Sequence, residues 1–172
     1  CSVGDVDQDG WLDIMVVSAG DPDVQGGEPG RYRLYRNLEG AGFVDIAASA
    51  GVREVTNGDA NQGPLFATFG DYDLDGDLDV LVAAQTDDLV GWYENIGSGQ
   101  FTQIRPITTE ADGVYSFVPT DLDGDGDEDL LVASAEDDTV AWHENTGGTF
   151  GPRQVISTAV DGARSIVAAD LD

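Results

Sequence analysis

Three unbroken apolar runs punctuate the chain: IMVVS at 14–18, VLVAA at 80–84 and LLVAS at 130–134. Each begins directly after an acidic, glycine-bearing stretch. Downstream of each comes a second strand-like segment: RLYRN (33–37), GWYEN (91–95) and AWHEN (141–145). A glycine-containing turn and an aromatic follow, at Phe43, Phe101 and Phe150. Runs this short, rich in β-branched and aromatic residues and bounded by turn formers, read as strands. An apolar run without alternation suits a strand covered on both faces. In the second unit the pattern predicts strands at 65–70, 79–84, 89–95 and 101–107.

The acidic stretches recur with the strands. DVDQDGWLD starts at Asp5, DYDLDGDLD at Asp71 and DLDGDGDED at Asp121, and DLD at Asp170 starts a fourth; the starts lie 66, 50 and 49 residues apart. Self-similarity near 50 residues points to a propeller or solenoid. Four short antiparallel strands per unit, repeated radially, make a β-propeller. The fold expected is therefore all-β, with four-stranded antiparallel blades. The repeats span about 1–64, 65–113 and 114–164, with the start of a fourth at 165–172. Pro119 falls in the first strand of the third unit, where only a sheet edge tolerates it. About three blades' worth is present, while propellers close with about four to eight. The expectation is a segment of a longer propeller, of about seven blades as one option. Cys1, the single cysteine, is either a lipidated start or, as its place just before a motif favours, a point where a longer chain was cut.

Charge narrows the partners. The chain has 34 acidic residues against 7 basic ones, all arginine, for a net charge of −27. Such a surface repels phosphate backbones and anionic lipid, so nucleic acid and direct membrane insertion are not expected. No apolar run approaches the length of a membrane-spanning helix. Half of the carboxylates fall in the four acidic stretches, which general solvation would not require.

The recurring pattern is D-x-D-x-D-G-x-x-D. Side-chain oxygens at positions 1, 3, 5 and 9 can converge on a hard cation, with the carbonyl of position 7, and glycine at position 6 permits the sharp turn. All-oxygen ligation by several carboxylates on a flexible loop favours Ca²⁺. An EF-hand is excluded, because its position-12 glutamate is replaced by Val16, Val82 and Val132 inside the apolar strands. A tandem nonapeptide β-roll is excluded by the spacing. Acidic loops can be mere solvated turns, but three copies in one repeat slot weigh against that. Carboxylates a few ångströms apart repel one another, so each loop should be loose without metal and rigid with it.

FGDYDLDGDLDVLVAA, PTDLDGDGDEDLLVAS, GWYENIGSGQF and AWHENTGGTF together resemble FG-GAP/VCBS repeats, found in integrin α-subunit propellers and many secreted or surface proteins. The resemblance covers essentially the whole chain. It implies a Ca²⁺-dependent β-propeller with a cation loop between the first two strands of a blade. Carried over by position, the first ligand set is Asp5, Asp7, Asp9, Trp11 (carbonyl) and Asp13. The second is Asp71, Asp73, Asp75, Asp77 (carbonyl) and Asp79, and the third Asp121, Asp123, Asp125, Asp127 (carbonyl) and Asp129. A fourth, partial site has only Asp170 and Asp172.

The first repeat departs in carrying two insertions, 19–31 and 50–63. In an up-down blade both fall on the face opposite the cation loops. Long connections on a rigid scaffold often carry recognition, so a protein or glycan ligand is expected there, with tolerated surface insertion the plain alternative. Tyr32 and Tyr35 are candidate stacking residues, whereas Trp92 and Trp142 read as core. The single histidine, His143, occupies the strand slot of Tyr35 and Tyr93 and reads as structural. No metalloprotease, nucleophile-elbow, Walker A or dinucleotide signature occurs, and no N-glycosylation sequon. The leading expectation is a calcium-stabilised, non-enzymatic interaction or adhesion module, extracellular or on the cell surface, where weak Ca²⁺ sites are filled. Two alternatives stand beside it: a self-assembling subunit of an extracellular filament or surface layer, and a polysaccharide-binding or polysaccharide-cleaving propeller.

Overall fold

A computed structural model describes residues 1–20, 29–52 and 66–170. Its framework is three antiparallel sheets in chain order. The first comprises β1 (Ser2–Gly4), β2 (Asp13–Gly20), β3 (Pro29–Asn37) and β4 (Phe43–Asp45). The second comprises β5 (Phe66–Gly70), β6 (Asp79–Ala84), β7 (Leu89–Tyr93) and β8 (Arg105–Thr108). The third contains β9 (Val114–Thr120), β10 (Asp129–Ser134), β11 (Thr139–His143) and β14 (Gln154–Ser157). A short ladder of β12 (Asn145–Thr146) and β13 (Thr149–Phe150) precedes β14. One four-residue helix, α1 (Ala47–Ala50), follows β4.

The apolar runs become the second strands, and side-chain parity explains their lack of alternation. Val80 and Val82 of β6 pack toward the first sheet, against Met15, Leu34 and Tyr32. Leu81 and Ala83 pack toward the third, against Leu130, Val132 and Val114. Every residue of β6 is buried. A strand between two sheets needs an apolar residue at every position, and each fully buried Val or Leu contributes about 1.5–3 kcal/mol. Trp92 is buried beside Tyr72 and Phe150, with ring centroids 6.3 and 6.4 Å away.

First strands lie side by side. Ser2 Oγ accepts from Phe69 N–H at 3.2 Å, and the Phe66 and Phe117 rings meet edge-on at 6.2 Å. This is the arrangement of blades converging on an axis. Pro119 sits in β9, an edge strand, as its missing donor requires.

Several expectations shift. The fourth strand of the second sheet runs 105–108, not 101–107, and Phe101 instead forms a single bridge with Asn95. Outer strands face solvent on much of their surface, so their pattern carries little register information. The β2–β3 ladder extends to the pair Gly20–Pro29, so the first insertion is shorter than 19–31. Its remainder, 21–28, lies outside the described residues. Of the second insertion, Ala50 and Val52 pack into the core between the first two sheets, and 53–63 lie outside the described residues. Tyr32 is also a core residue, 3% exposed, which removes it as a stacking platform. Residues 165–170, expected to start a fourth repeat, form no strand, and 171–172 lie outside the described residues.

Candidate metal centres

Each acidic loop (loop 1 at 5–13, loop 2 at 71–79, loop 3 at 121–129) joins the first strand of a sheet to the second. Its backbone is forced into left-handed conformations at positions 4 and 6: Gln8 and Gly10, Leu74 and Gly76, Gly124 and Gly126, with φ between 58° and 99°. Those two kinks curl the loop, and local hydrogen bonds hold the curl. Asp5 accepts from Gly10 N–H at 2.8 Å, Asp71 from Gly76 N–H at 3.1 Å and Asp121 from Gly126 N–H at 3.1 Å.

Three carboxylates converge in each loop. Asp5, Asp7 and Asp13 bring ligand oxygens within 4.8 Å of one another, as do Asp71, Asp73 and Asp79, and Asp121, Asp123 and Asp129. These are positions 1, 3 and 9 of the expected set. The position-5 residues Asp9, Asp75 and Asp125 stand outside the trios, one oxygen of each accepting the N–H of position 7 at 2.8–2.9 Å. At position 7, the Trp11 indole lies over Gly40, while the side chains of Asp77 and Asp127 accept from Gln8 and Gly147. Those carboxylates are committed elsewhere, which leaves the main chain as what position 7 can offer. Asp170 joins no acidic trio among the described residues, and Asp172 lies outside them.

The position-9 aspartates are anchors as well as members of the trios. Asp13, Asp79 and Asp129 are fully buried. One oxygen of each accepts the N–H of position 2, Val6, Tyr72 or Leu122, at 3.0–3.1 Å. The other accepts the N–H of Asn37, Asn95 or Asn145, just beyond or at the end of the neighbouring strand, at 2.8 Å.

Those three asparagines were not among the site residues expected from sequence. The Oδ1 of each accepts a glycine N–H of its own turn, from Gly40, Gly97 or Gly148. Nδ2 donates to the carbonyl of position 8, Leu12, Leu78 or Glu128. The signal was present as the shared last letter of RLYRN, GWYEN and AWHEN, a polar residue closing an apolar strand before a glycine turn.

Arg36 Nη1 lies 3.9 Å from Asp7 Oδ2, a long and partly exposed pair that leaves the loop 1 trio short of positive charge. Burial pushes the Asp79 carboxyl up to about 7, against the opposing bonds from Asn95 and Tyr72. Burial first, then the neighbouring carboxylates, also raises Asp7 and Asp73. Asp7 Oδ1 and Asp71 Oδ1 are buried and lack a hydrogen-bond partner. Buried acceptors left unpaired cost about 1–3 kcal/mol each. An all-oxygen trio with unpaired buried lone pairs fits a hard divalent cation, not a soft metal.

The repeat structure decides the family. The model of the FG-GAP-like repeat matches residues 5–82, 71–132 and 121–172. The chain belongs to the FG-GAP-like repeat family. The FG-GAP-like chain also resembles a solved structure described as the basis of specific recognition of non-reducing terminal N-acetylglucosamine by an Agrocybe aegerita lectin. The likeness has a TM-score of 0.54 at 20% identity over 92% of this chain and 38% of that one. The chain thus spans well under half of that lectin's length, and what the two share is the β-propeller fold. No curated protein matches this chain significantly.

Proposed function

We propose that this chain is a calcium-stabilised binding module, extracellular or at the cell surface, without catalytic activity. The observation that carries the reading is the repeated trio of converging carboxylates with buried, unpaired oxygens in loops 1 and 2. Asp5, Asp7 and Asp13 and their counterparts would hold Ca²⁺, with the position-7 carbonyl and the remaining oxygen of position 5 completing the oxygen shell. When bound, the ion supplies the positive charge that lets these carboxylates stay ionised and close together. The loops then clip each first strand to its second, leaving a rigid scaffold whose surface does the recognising. Weak sites of this kind are filled where calcium is millimolar, which supports the location. The single histidine is committed to structure: His143 is buried in β11 and its Nδ1 pairs with the Gly151 carbonyl at 3.0 Å.

A longer ring is part of this proposal. Val6 and Tyr72, the position-2 residues of loops 1 and 2, are 1% exposed under the next sheet, while their counterpart Leu122 is 41% exposed. The outer face of the third sheet is read as the seat of a further repeat.

Thermal melting tests the calcium reading. For dissociation constants of about 10⁻⁴–10⁻³ M, about 10 mM Ca²⁺ stabilises by about 1.4–2.7 kcal/mol per filled site relative to chelator. Several filled sites should raise Tm by about 5 °C or more. An unchanged Tm rules the reading out.

A glycan ligand is the second reading, favoured by a hollow of about 310 Å³ beside loop 1, lined by Asp9, Arg36, Asn37, Leu38 and Glu39. Polar side chains of both signs surround it, with the 43%-exposed indole of Trp11 nearby, and the lectin likeness points the same way. Glycan-array binding lost in Trp11→Ala supports it; no binding to any glycan removes it.

A further inference from the structure

The three cation loops are not separate. The turn that begins at Asn95 belongs to the second sheet but grips two loops at once. Its main-chain N–H and one Nδ2 bond hold Asp79 and Leu78 of loop 2, at 2.8 and 3.0 Å. The same Nδ2 donates to the Val6 carbonyl of loop 1 at 2.9 Å. Val6 lies between the trio members Asp5 and Asp7, and its own N–H is held by Asp13. A few residues on, Gly99 (φ 65°) lies against loop 1, where a Cβ would make ordinary contact with that of Asp7 at 3.4 Å.

The arrangement repeats one blade further. Asn145 holds Asp129 and Glu128 of loop 3 at 2.8 and 3.2 Å, and donates to the Tyr72 carbonyl of loop 2 at 2.8 Å. Gly148 (φ 80°) leaves no room above Asp73: a Cβ at this glycine would come within 2.7 Å of the aspartate's. Loops 1 and 2 are thus roofed by the turn of the next blade, and their Asp5, Asp7, Asp71 and Asp73 are half-buried. In loop 3, which has no such roof in this chain, Asp121 and Asp123 are exposed.

Loops 1 and 2 share a further link. Gln8 Nε2 of loop 1 donates to the Gly76 carbonyl at 3.0 Å and to Asp77 Oδ1 at 2.5 Å, both in loop 2. Position 4 is Leu74 in loop 2, which has no donor to make the equivalent bond to loop 3.

We infer that the Asn95 and Asn145 turns couple neighbouring cation loops, so that filling one raises the calcium affinity of the next. The inference rests on the calcium reading and deepens it. A loop with its trio drawn together fixes the Val6 or Tyr72 peptide in place. The asparagine that bonds this peptide is then set for the position-9 anchor of the following loop. Coupling of this kind is reciprocal by linkage, and each loop is the two-state element that such coupling needs. The pair of loops 1 and 2, with the additional Gln8 bridge, is coupled more tightly than the pair 2 and 3.

Calorimetric titration of the full chain with Ca²⁺, at about 0.5 M salt to screen charge between loops, tests this. Asp5→Asn with Asp7→Asn disables loop 1 without touching the second sheet. The expected result is that Ca²⁺ binding at loop 2 weakens by about fivefold or more, and that loop 3 changes less. In an Asn95→Ala background, disabling loop 1 should change loop 2 by less than about twofold. Gln8→Ala alters an exposed side chain and spares the core, so it keeps the test open should Asn95→Ala not fold; it should weaken the coupling in part. Loop 2 affinity that ignores the state of loop 1, or a dependence surviving both Asn95→Ala and Gln8→Ala, overturns the inference while calcium binding itself stands. Absence of any Ca²⁺ binding by the unaltered chain overturns both.

Discussion

Removing the Asp79 carboxylate under chelation isolates its anchoring role. In the fully buried site it accepts Tyr72 N–H at 3.0 Å and Asn95 N–H at 2.8 Å. Asp79→Ala strands both donors, at about 1–3 kcal/mol each, or about 2–6 kcal/mol together. Part of that loss is offset, because burial already disfavours the ionised carboxylate and carries its pKa to about 7. Under chelation at neutral pH the net cost should therefore fall near the lower end, about 2–3 kcal/mol. For a chain of this length that is a fall in Tm of about 4–12 °C. Asp75→Ala is the comparison: Asp75 is exposed and accepts only the N–H of Asp77, two residues on. Its loss should cost less than about 1 kcal/mol in chelator. With Ca²⁺ present both variants should fall further below the unaltered chain by a similar amount, since under the calcium reading each removes an oxygen from loop 2, and the gap between them should persist. Melting by circular dichroism in chelator and in calcium reads both quantities. A fall of under about 2 °C for Asp79→Ala in chelator, or equal falls for both variants, refutes the anchoring argument.

Other perturbations follow from the packing. Gly70→Ala would place a Cβ 2.5 Å from Cζ of Tyr72, a ring fixed against Trp92; overpacking should cost about 1–3 kcal/mol, and an unchanged Tm counts against it. Trp92→Ala empties a buried site at about 3–5 kcal/mol, whereas the half-buried Trp142 should cost clearly less; the reverse order in denaturant melts would contradict the fold. Burial lowers the pKa of His143, with Arg153 adding to the effect against the Gly151 bond. Its contribution to stability is complete above the unfolded value of about 6.5 and is lost as pH falls below it toward the lowered folded value. In calcium, the Tm of the unaltered chain should therefore drop more between about pH 7.5 and pH 5.5 than that of His143→Phe, and parallel profiles would refute this.

The features legible in the sequence are those where one residue type satisfies one dominant demand. A strand packed on both faces needs every position apolar, so VLVAA announced β6 without ambiguity. A curled loop with convergent oxygens needs aspartates at fixed spacing and a glycine at the kink. Both demands recur, and the recurrence removed most of the ambiguity a single copy leaves. The outer strands answer to weaker demands. Arg105 and Pro106 of β8 are exposed, so nothing in their polarity marks where pairing begins, and the expected start at Phe101 was four residues early. Tyr32 shows the complementary difficulty, since an aromatic beside an insertion suits a ligand platform and a core equally until the facing sheet is placed. Trp142 occupies the register slot of Trp92, yet is half-buried where Trp92 is sealed by Tyr72 and Phe150.

The asparagines mark a different boundary of sequence reading. Their chemistry was visible three times over, but their role depends on a carbonyl contributed by the preceding loop, 89 residues away for Asn95 and 73 for Asn145. A periodic motif reveals what each unit does for itself. What one unit does for its neighbour appears only when the units are stacked, because identical letters then acquire unequal surroundings. Val6, Tyr72 and Leu122 share one motif position, and the first two are sealed under a neighbouring turn while the third is open. Loop 3, with exposed aspartates and no roof in this chain, should for that reason be the weakest of the three cation loops, although its acidic spacing is as complete as theirs.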